Sequence, residues 1–492
     1  MNARPLRKTS PVRVHRRPEK FVSDDKRVIT RLFLPGGEAR IRAVLDRVLQ
    51  LRDDEVDAIL GRILRSFASR HADIGASFQR HFDEAKPHFD REVEVSEERA
   101  LLIGAYFTME YSIESAALFN PSIVPHPDQS GLPPGAVRFL MSLRATGEGH
   151  VSSIVFRSGV VDASGEIRFD PAARYTRRMR LVENDLYDKH SFYLKIIEMG
   201  AYNDCAQAVL AELPGQFTYA QLNTAVDHQH EELGGRGEFQ ETAGSILWLA
   251  RSNYHLKLPE DADPSNVVVF PATENDSNGI EDTRLVRFVD DDGTVIYYGT
   301  YTAYNGFRIL PQILETTDFT TIKVSTLNGR FVRDKGMALF PRKVDDWYLM
   351  ISRLDGECLY LMQSDNVRFW NEAEKLQSPT YPWEFVQIGN CGPPLETDAG
   401  WLLLTHGVGP MRQYCIGVSL LDLNNPQRVI GQLEDPLLAP TEEERHGYVP
   451  NVVYSCGSMI HNDQLIIPYG LSDSATSFAT VSVTELLEHL VP

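Results

Sequence analysis

From Gly37 to Ala117 the apolar side chains recur three and four positions apart: Ile41, Val44, Leu45, Val48 and Leu49, then Val56, Ile59, Leu60, Ile63 and Leu64. This spacing puts them on one face of a helix, and the stretches near 78–89 and 97–115 continue it without a glycine-rich turn. An α-helical domain is expected over residues 31–117. After Phe119 the period changes. A turn rich in Asp, Gly or Asn leads into an apolar or aromatic strand and then into small or polar groups, five times, with the polar ends at Arg144, Thr302, Arg353, His406 and Gly470–Asp473. From Thr302 the steps to Arg353, His406 and Gly470 are 51, 53 and 64 residues. Repeats of this length, each holding several short strands, predict a mainly β fold: a five-bladed β-propeller over 118–490. The step from Arg144 to Thr302 is 158 residues. Its excess, about 185–240, has helical spacing and ends in glycine punctuation at 234–237, so a helical insertion interrupts the β domain. Such an insertion has two natural positions, packed on the N-terminal helices or closed as a lid over the site.

Composition narrows the class. The chain has 492 residues, a formal net charge of −19 and five cysteines with no CxxC pair. Residues 1–31 hold ten Lys/Arg against three Asp/Glu, which leaves 39 basic and 65 acidic side chains for the rest. Residues 1–30, Pro- and Arg-rich and without periodicity, read as a flexible basic arm. The acidic body excludes a nucleic-acid surface. With no signal-peptide core and no apolar run of spanning length, no membrane partner is expected, and the location is read as cytoplasmic. Scattered cysteines fit reduced thiols, and no cluster with ligand spacing asks for a metal.

The densest chemistry lies in Gly279–Gly306, where Glu281-Asp282-Thr283-Arg284 precedes a strand, a tight turn at Asp291–Gly293 and the strand of Val295, Ile296, Tyr297, Tyr298 and Tyr301. A carboxylate fixed by a rigid hairpin beside a permanent cation suits a positioned proton donor for glycosidic cleavage; the plainer alternative is an ion pair that orders a loop. In a propeller the polar strand ends Arg144, Arg353, His406 and Asp473 face a common axial funnel. Each has an ordinary explanation too, such as pairing of Arg144 or Arg353 with Asp355, but one polar register repeated in copy after copy implies a polar ligand or a closed internal network.

Several stretches carry a resemblance: F-N-P-S-I-V at 119–124, G-I-E-D-T-R with Y-T-A-Y-N-G, D-K-G-M-A-L-F-P-R-K-V-D-D-W-Y-L-M-I-S-R, G-P-P-L-E-T-D-A-G-W-L-L-L-T-H-G-V, Y-C-I-G-V-S-L-L-D-L-N-N-P, G-Y-V-P-N-V-V-Y-S-C-G and P-Y-G-L-S-D-S. In that order they make residues 118–490 resemble glycoside hydrolase family 130, the β-mannoside phosphorylases and related β-mannosidases, which are five-bladed propellers. The resemblance implies that Asp282 is the general acid, acting through a sugar hydroxyl. It also implies that Arg144, Lys335, Arg353, His406 and Tyr414 surround the anion, and that Asn120 and Asp473 hold sugar hydroxyls. Glu281, Arg284 and Tyr301 complete the expected sugar contacts. The chain departs from the family pattern at Thr283, where proline is usual, and at Ser352, where histidine is common.

Phosphorolysis replaces the water of hydrolysis with phosphate, itself a nucleophile, so a cluster of cations takes the place of a base. Lys335, Arg353 and His406, with Arg144, form such a cluster. The expected reaction is inverting phosphorolysis of a β-mannoside to α-mannose 1-phosphate, reversible, with inorganic phosphate as co-substrate and no cofactor. Two alternatives stand beside it: an inverting β-mannosidase using Glu281 or Glu396 as base, and a non-catalytic carbohydrate-binding propeller. The helical regions are candidate surfaces for a homo-oligomer.

Overall fold

The computed structural model describes residues 12–89, 92, 94–183, 186–233, 237–260, 262–307 and 309–491. Its β portion consists of five antiparallel units. The first runs Ala117–Pro125, Val137–Thr146, Ser152–Val161 and Ile167–Phe169; the second runs Gly279–Val289, Val295–Tyr304, Ile309–Thr316 and Thr321–Thr326. The third runs Ala338–Leu339, Tyr348–Ser352, Leu359–Ser364 and Glu372–Gln377. In the fourth, Gln387–Asn390 and Leu395–Thr397 both pair with Gly400–Val408, which is followed by Tyr414–Leu421 and Val429–Gln432. In the fifth, Val453–Tyr454 and Met459–His461 both pair with Gln464–Leu471, which is followed by Ala475–Ser482. Each of the five turn-and-strand copies read from the sequence falls on the second strand of its unit.

These second strands read as continuous apolar runs because both of their faces are covered. Every residue of Gly400–Val408 is buried. Alternate side chains enter different cores: Trp401 and Leu403 pack with Phe340 and Ile351 of the third unit, whereas Leu402 and Leu404 pack with Leu465 and Ile467 of the fifth. Similar cores join the first unit to the second and the second to the third, and another returns from the fifth, through Ile466 and Phe478, to Phe139 and Met141 of the first.

The N-terminal segment departs from expectation. Residues 15–21, read as part of a flexible arm, form the strand His15–Phe21, which pairs antiparallel with Ala475–Ser482 and completes the fifth unit, while Asp24–Leu32 pairs with Thr108–Glu114. An open sheet edge supplies the backbone partners that this charged sequence lacks in isolation, and its side chains stay largely exposed as on other edge strands. Residues 1–11 of the expected arm lie outside the described residues.

The predicted helices are Glu38–Leu49, Asp53–Phe67, Ile74–Ala85 and Glu97–Tyr106. Asp73 and Ser96 cap the last two by accepting from the amides of Ala76 (2.9 Å) and Arg99 (3.3 Å). The insertion comprises Lys189–Glu198, Asp204–Glu212, Tyr219–Leu233 and Gly237–Arg251, with its own core around Ile196, Val209, Leu222 and Ile246; it thus runs past the expected end at 240. Of the expected glycine punctuation, residues 234–236 lie outside the described residues. The insertion returns through Tyr254–Lys257, which extends the outer edge of the second unit by pairing with Thr321–Thr326. No helix among the described residues is long and apolar enough to cross a membrane.

Candidate active site

Four of the five units interrupt the pairing between their first and second strands, and the interruptions meet at one cavity of about 280 Å³. In the first unit the ladder shifts between Phe119 and Ser122, and Asn120 takes a left-handed backbone (φ 49°); in the second it shifts between Glu281 and Arg284, with Asp282 at φ 52°. These are β-bulges, which turn a side chain out of its strand register. Asn and Asp tolerate that backbone better than other non-glycine residues. The two bulged residues face each other, Asn120 Nδ2 donating to Asp282 Oδ1 at 2.8 Å.

Arg144, on the second strand of the first unit, bridges the acidic pair: Nη2 lies 3.0 Å from Glu281 Oε1 and Nη1 lies 3.5 Å from Asp282 Oδ1. Lys335 Nζ donates to Glu281 Oε2. Arg284 lies buried beneath, donating to the Asp282 carbonyl (3.1 Å), Asn390 Oδ1 (3.3 Å) and the Tyr454 hydroxyl. Burial pushes the Asp282 carboxyl up, but Arg144, then Arg284, the Asn120 hydrogen bond and Lys335 outweigh it and hold the group below its ordinary 3.8. Asp473, in the hairpin turn of the fifth unit at φ 52°, behaves oppositely: burial first, then the Asp282 charge, raise it to about 6 against the pull of Arg144 and Arg412.

His406 is not one of the cations. Burial, then Arg353, lower its pKa to about 3, and its Nδ1–H donates to the Asn390 carbonyl (3.0 Å), which leaves Nε2 as an acceptor 3.3 Å from the Gln387 amide. The ring stacks on Tyr414 (5.9 Å between centroids) and meets Tyr454 edge-on (4.9 Å). Arg353 reaches Asp334 (3.6 Å) rather than Asp355, whose carboxylate instead accepts from the Glu357 and Cys358 amides and the Tyr360 hydroxyl. Buried Arg144 Nε, Arg353 Nε and Asn120 Oδ1 have no hydrogen-bond partner among the described residues.

The cavity therefore brings together Asn120, Arg144, Glu281, Asp282, Arg284, Lys335, Arg353, His406, Tyr414 and Asp473, the expected site residues apart from Tyr301. Tyr301 sits opposite the Asp282–Thr283 bulge, and its side chain enters the core between the first and second units beside Tyr254, away from the cavity. Glu396, the alternative base, pairs with Arg342 at 2.6 Å outside the lining. Thr283 and Ser352, the two departures from the family pattern, are buried, each with a hydroxyl lacking a partner among the described residues. Sequence reasoning missed Asn390, Arg412 and Tyr454, which also line the cavity. None of the lining residues comes from the insertion, so it forms no lid there.

Residues 256–491 match the glycoside hydrolase family 130 pattern described as β-1,4-mannooligosaccharide phosphorylase. The 1,2-β-oligomannan phosphorylase of Thermoanaerobacter sp. strain X514 is 31% identical over 226 residues, which is 44% of this chain and 73% of the relative. The β-1,2-mannobiose phosphorylase of Listeria innocua is 27% identical over 259 residues, 51% of this chain and 70% of the relative. The structure of β-1,2-mannobiose phosphorylase from Listeria innocua in complex with β-1,2-mannobiose superposes with a TM-score of 0.44 at 19% identity, over 77% of this chain and 93% of that one.

Proposed function

The chain belongs to glycoside hydrolase family 130, and on that premise we propose that it catalyses inverting phosphorolysis of a β-mannoside to α-mannose 1-phosphate, with the five sheet units as the blades of a propeller around the site. The observation that carries this reading is charge. Five basic side chains, Arg144, Arg284, Lys335, Arg353 and Arg412, line the cavity against three carboxyls, Glu281, Asp282 and Asp473, in a protein of net charge −19. Asp334 offsets Arg353 only from outside the lining. The remaining surplus suits an incoming oxyanion.

In this reading Lys335, Arg353 and Arg144 hold phosphate below the anomeric carbon, with Tyr414 beside them, and neutral His406 accepts a hydrogen bond from a phosphate or sugar hydroxyl. Asn120 and Asp473 hold sugar hydroxyls. A phosphate oxygen forms the new bond to C1 as the glycosidic bond breaks, and Asp282 delivers the proton that leaves on the departing sugar oxygen. Asp282 is ionised in the ligand-free site. HPO4²⁻ both brings the proton that the products require and draws the neighbouring cations onto itself, which raises the affinity of Asp282 for that proton. Phosphate is the co-substrate, and its charge is met by side chains.

One observation favours hydrolysis as a second reading. Asp473, with its pKa raised to about 6, is suited to act as a base toward water. Incubation with α-mannose 1-phosphate and a panel of acceptor sugars separates the two: phosphate release that depends on the acceptor is expected for the phosphorylase, and the acceptors used report the linkage. Release of phosphate without any acceptor dependence, or none at all, counts against it.

A further inference from the structure

The N-terminal domain lends no side chain to the catalytic cavity, yet it holds one of the turns at its mouth. The turn 147–151 follows Val137–Thr146, the strand that carries Arg144, so it stands at the cavity end of the first unit. Tyr111, on the strand Thr108–Glu114, donates its hydroxyl to the Glu148 carbonyl at 2.8 Å. The two backbones approach so closely that a Cβ on Gly147 would overlap the Ser112 carbonyl and the Tyr111 ring. Braced in this way, the turn presents His150, whose ring lies 5.6 Å from that of Tyr448 and 30° from parallel. Tyr448 is 75% exposed, and its chain neighbour Val449 lines the cavity.

The fourth unit repeats this turn at the same end. The amides of Gly147 and Gly409 donate to the carbonyls of Val151 (3.1 Å) and Gln413 (3.0 Å), and each turn holds two successive left-handed residues, Gly149 and His150 in one, Met411 and Arg412 in the other. Where the first unit uses glycine, the fourth has Met411 at φ 59°, a backbone that disfavours any side chain, and its side chain is 89% exposed. Neither strain nor an exposed thioether helps folding, so packing does not account for the methionine. Arg412 beside it lines the cavity and acts on Asp473. Met411, Arg412, Tyr448 and Asp473 thus stand along one side of the mouth, on the fourth unit, the fifth and the segment between them.

We propose that the N-terminal domain tunes recognition of the acceptor sugar: Met411 and Tyr448 grip the C–H faces of the sugar beyond the scissile bond, and Tyr111 acts through His150 to hold Tyr448 in place. Arg412 meets that sugar's hydroxyls; an alkyl group fits less well, because it would leave the guanidinium beside the apolar pair without a polar partner. Tyr111 and His150 are positioning residues. The inference rests on the phosphorolysis reading and names where its departing sugar lies.

The test is phosphate release from α-mannose 1-phosphate with mannose and glucose as acceptors. Tyr448→Ala should raise the KM for the acceptor at least about tenfold while the KM for mannose 1-phosphate stays put, and Tyr448→Phe, which keeps the ring, should restore most of the loss. Met411→Gly should raise the same KM although its urea midpoint does not fall, since it relieves the left-handed backbone. Tyr111→Phe keeps the ring in its core and loses only the hydrogen bond, so the acceptor KM should rise about threefold, again without the KM for mannose 1-phosphate. A purely structural Tyr111 would lower the urea midpoint and move neither constant, which overturns the part given to the N-terminal domain. An acceptor KM indifferent to Tyr448→Ala, or one that rises only in step with that for mannose 1-phosphate, overturns the acceptor site. So does a change of oligomeric state by light scattering with the acceptor KM unmoved, which assigns the exposed side chains to a contact between copies. A parent that releases no phosphate with either acceptor counts instead against the phosphorolysis reading, and this inference falls with it.

Discussion

Replacing Asp473 by asparagine keeps the shape of the side chain and suits the left-handed backbone at φ 52°, but removes a charge that the ligand-free site accommodates poorly. The carboxyl moves from its ordinary 3.8 to about 6, chiefly through burial and then through Asp282. At about 1.4 kcal/mol per unit, that shift corresponds to a destabilisation on the order of 3 kcal/mol when the group is ionised. A folded-state pKa above the unfolded one favours the folded protein fully below about 3.8, and the advantage is lost as pH rises through about 6. Asp473→Asn should therefore unfold at higher urea concentration than the parent at pH 8, by up to that amount, and the difference should shrink steadily between pH 7 and pH 4. The assay is urea unfolding followed by circular dichroism, in buffers free of phosphate and sugar. A variant no more stable than the parent at pH 8, or a difference that does not narrow on acidification, would refute the reasoning and leave Asp473 as an ordinary solvated turn residue.

Asp282→Asn should lower turnover by ~10²–10⁴-fold, the loss typical of a general acid, with an unchanged circular dichroism spectrum. Glu114 is fully buried between Arg27 and Arg157, with Arg157 Nη2 at 2.8 Å from Oε2, so Glu114→Gln should cost about 3–5 kcal/mol by stranding two guanidinium groups, read as a lower urea midpoint. Deleting residues 1–22 removes the strand paired with Ala475–Ser482 and should lower the melting temperature and promote association through the bared edge, visible by light scattering.

How much of this was legible in the sequence depended on whether the signal was local. The second strands announced themselves because burial on both faces demands mostly apolar residues, and the change to Arg144, Arg353 or His406 near their ends marked where they reach the cavity. The N-terminal helices were visible as stripes such as Ile41, Leu45 and Val48. The strand His15–Phe21 was not, since an edge strand with charged side chains has no apolar alternation and takes its identity from a partner more than 450 residues away. Tyr301 was misplaced because strand alternation alone does not show which face meets the cavity, and the bulge at Asp282–Thr283 turns the opposing strand instead. His406 was counted as a cation because its neutral state depends on burial and on Arg353, which only the assembled units provide. Arg412 comes from a Gly-Pro turn and Tyr454 from a two-residue strand, positions where sequence period carries no information.

The central claim is that the cationic cavity exists for phosphate. The measurement that bears on it most directly is turnover of a β-mannoside with phosphate as the variable, products resolved by chromatography. The account predicts α-mannose 1-phosphate as the sugar product, a rate that saturates with phosphate and vanishes without it, competition by sulfate, and a Lys335→Ala variant whose KM for phosphate rises more than its KM for the mannoside. Free mannose, formed at an undiminished rate without phosphate, would contradict it.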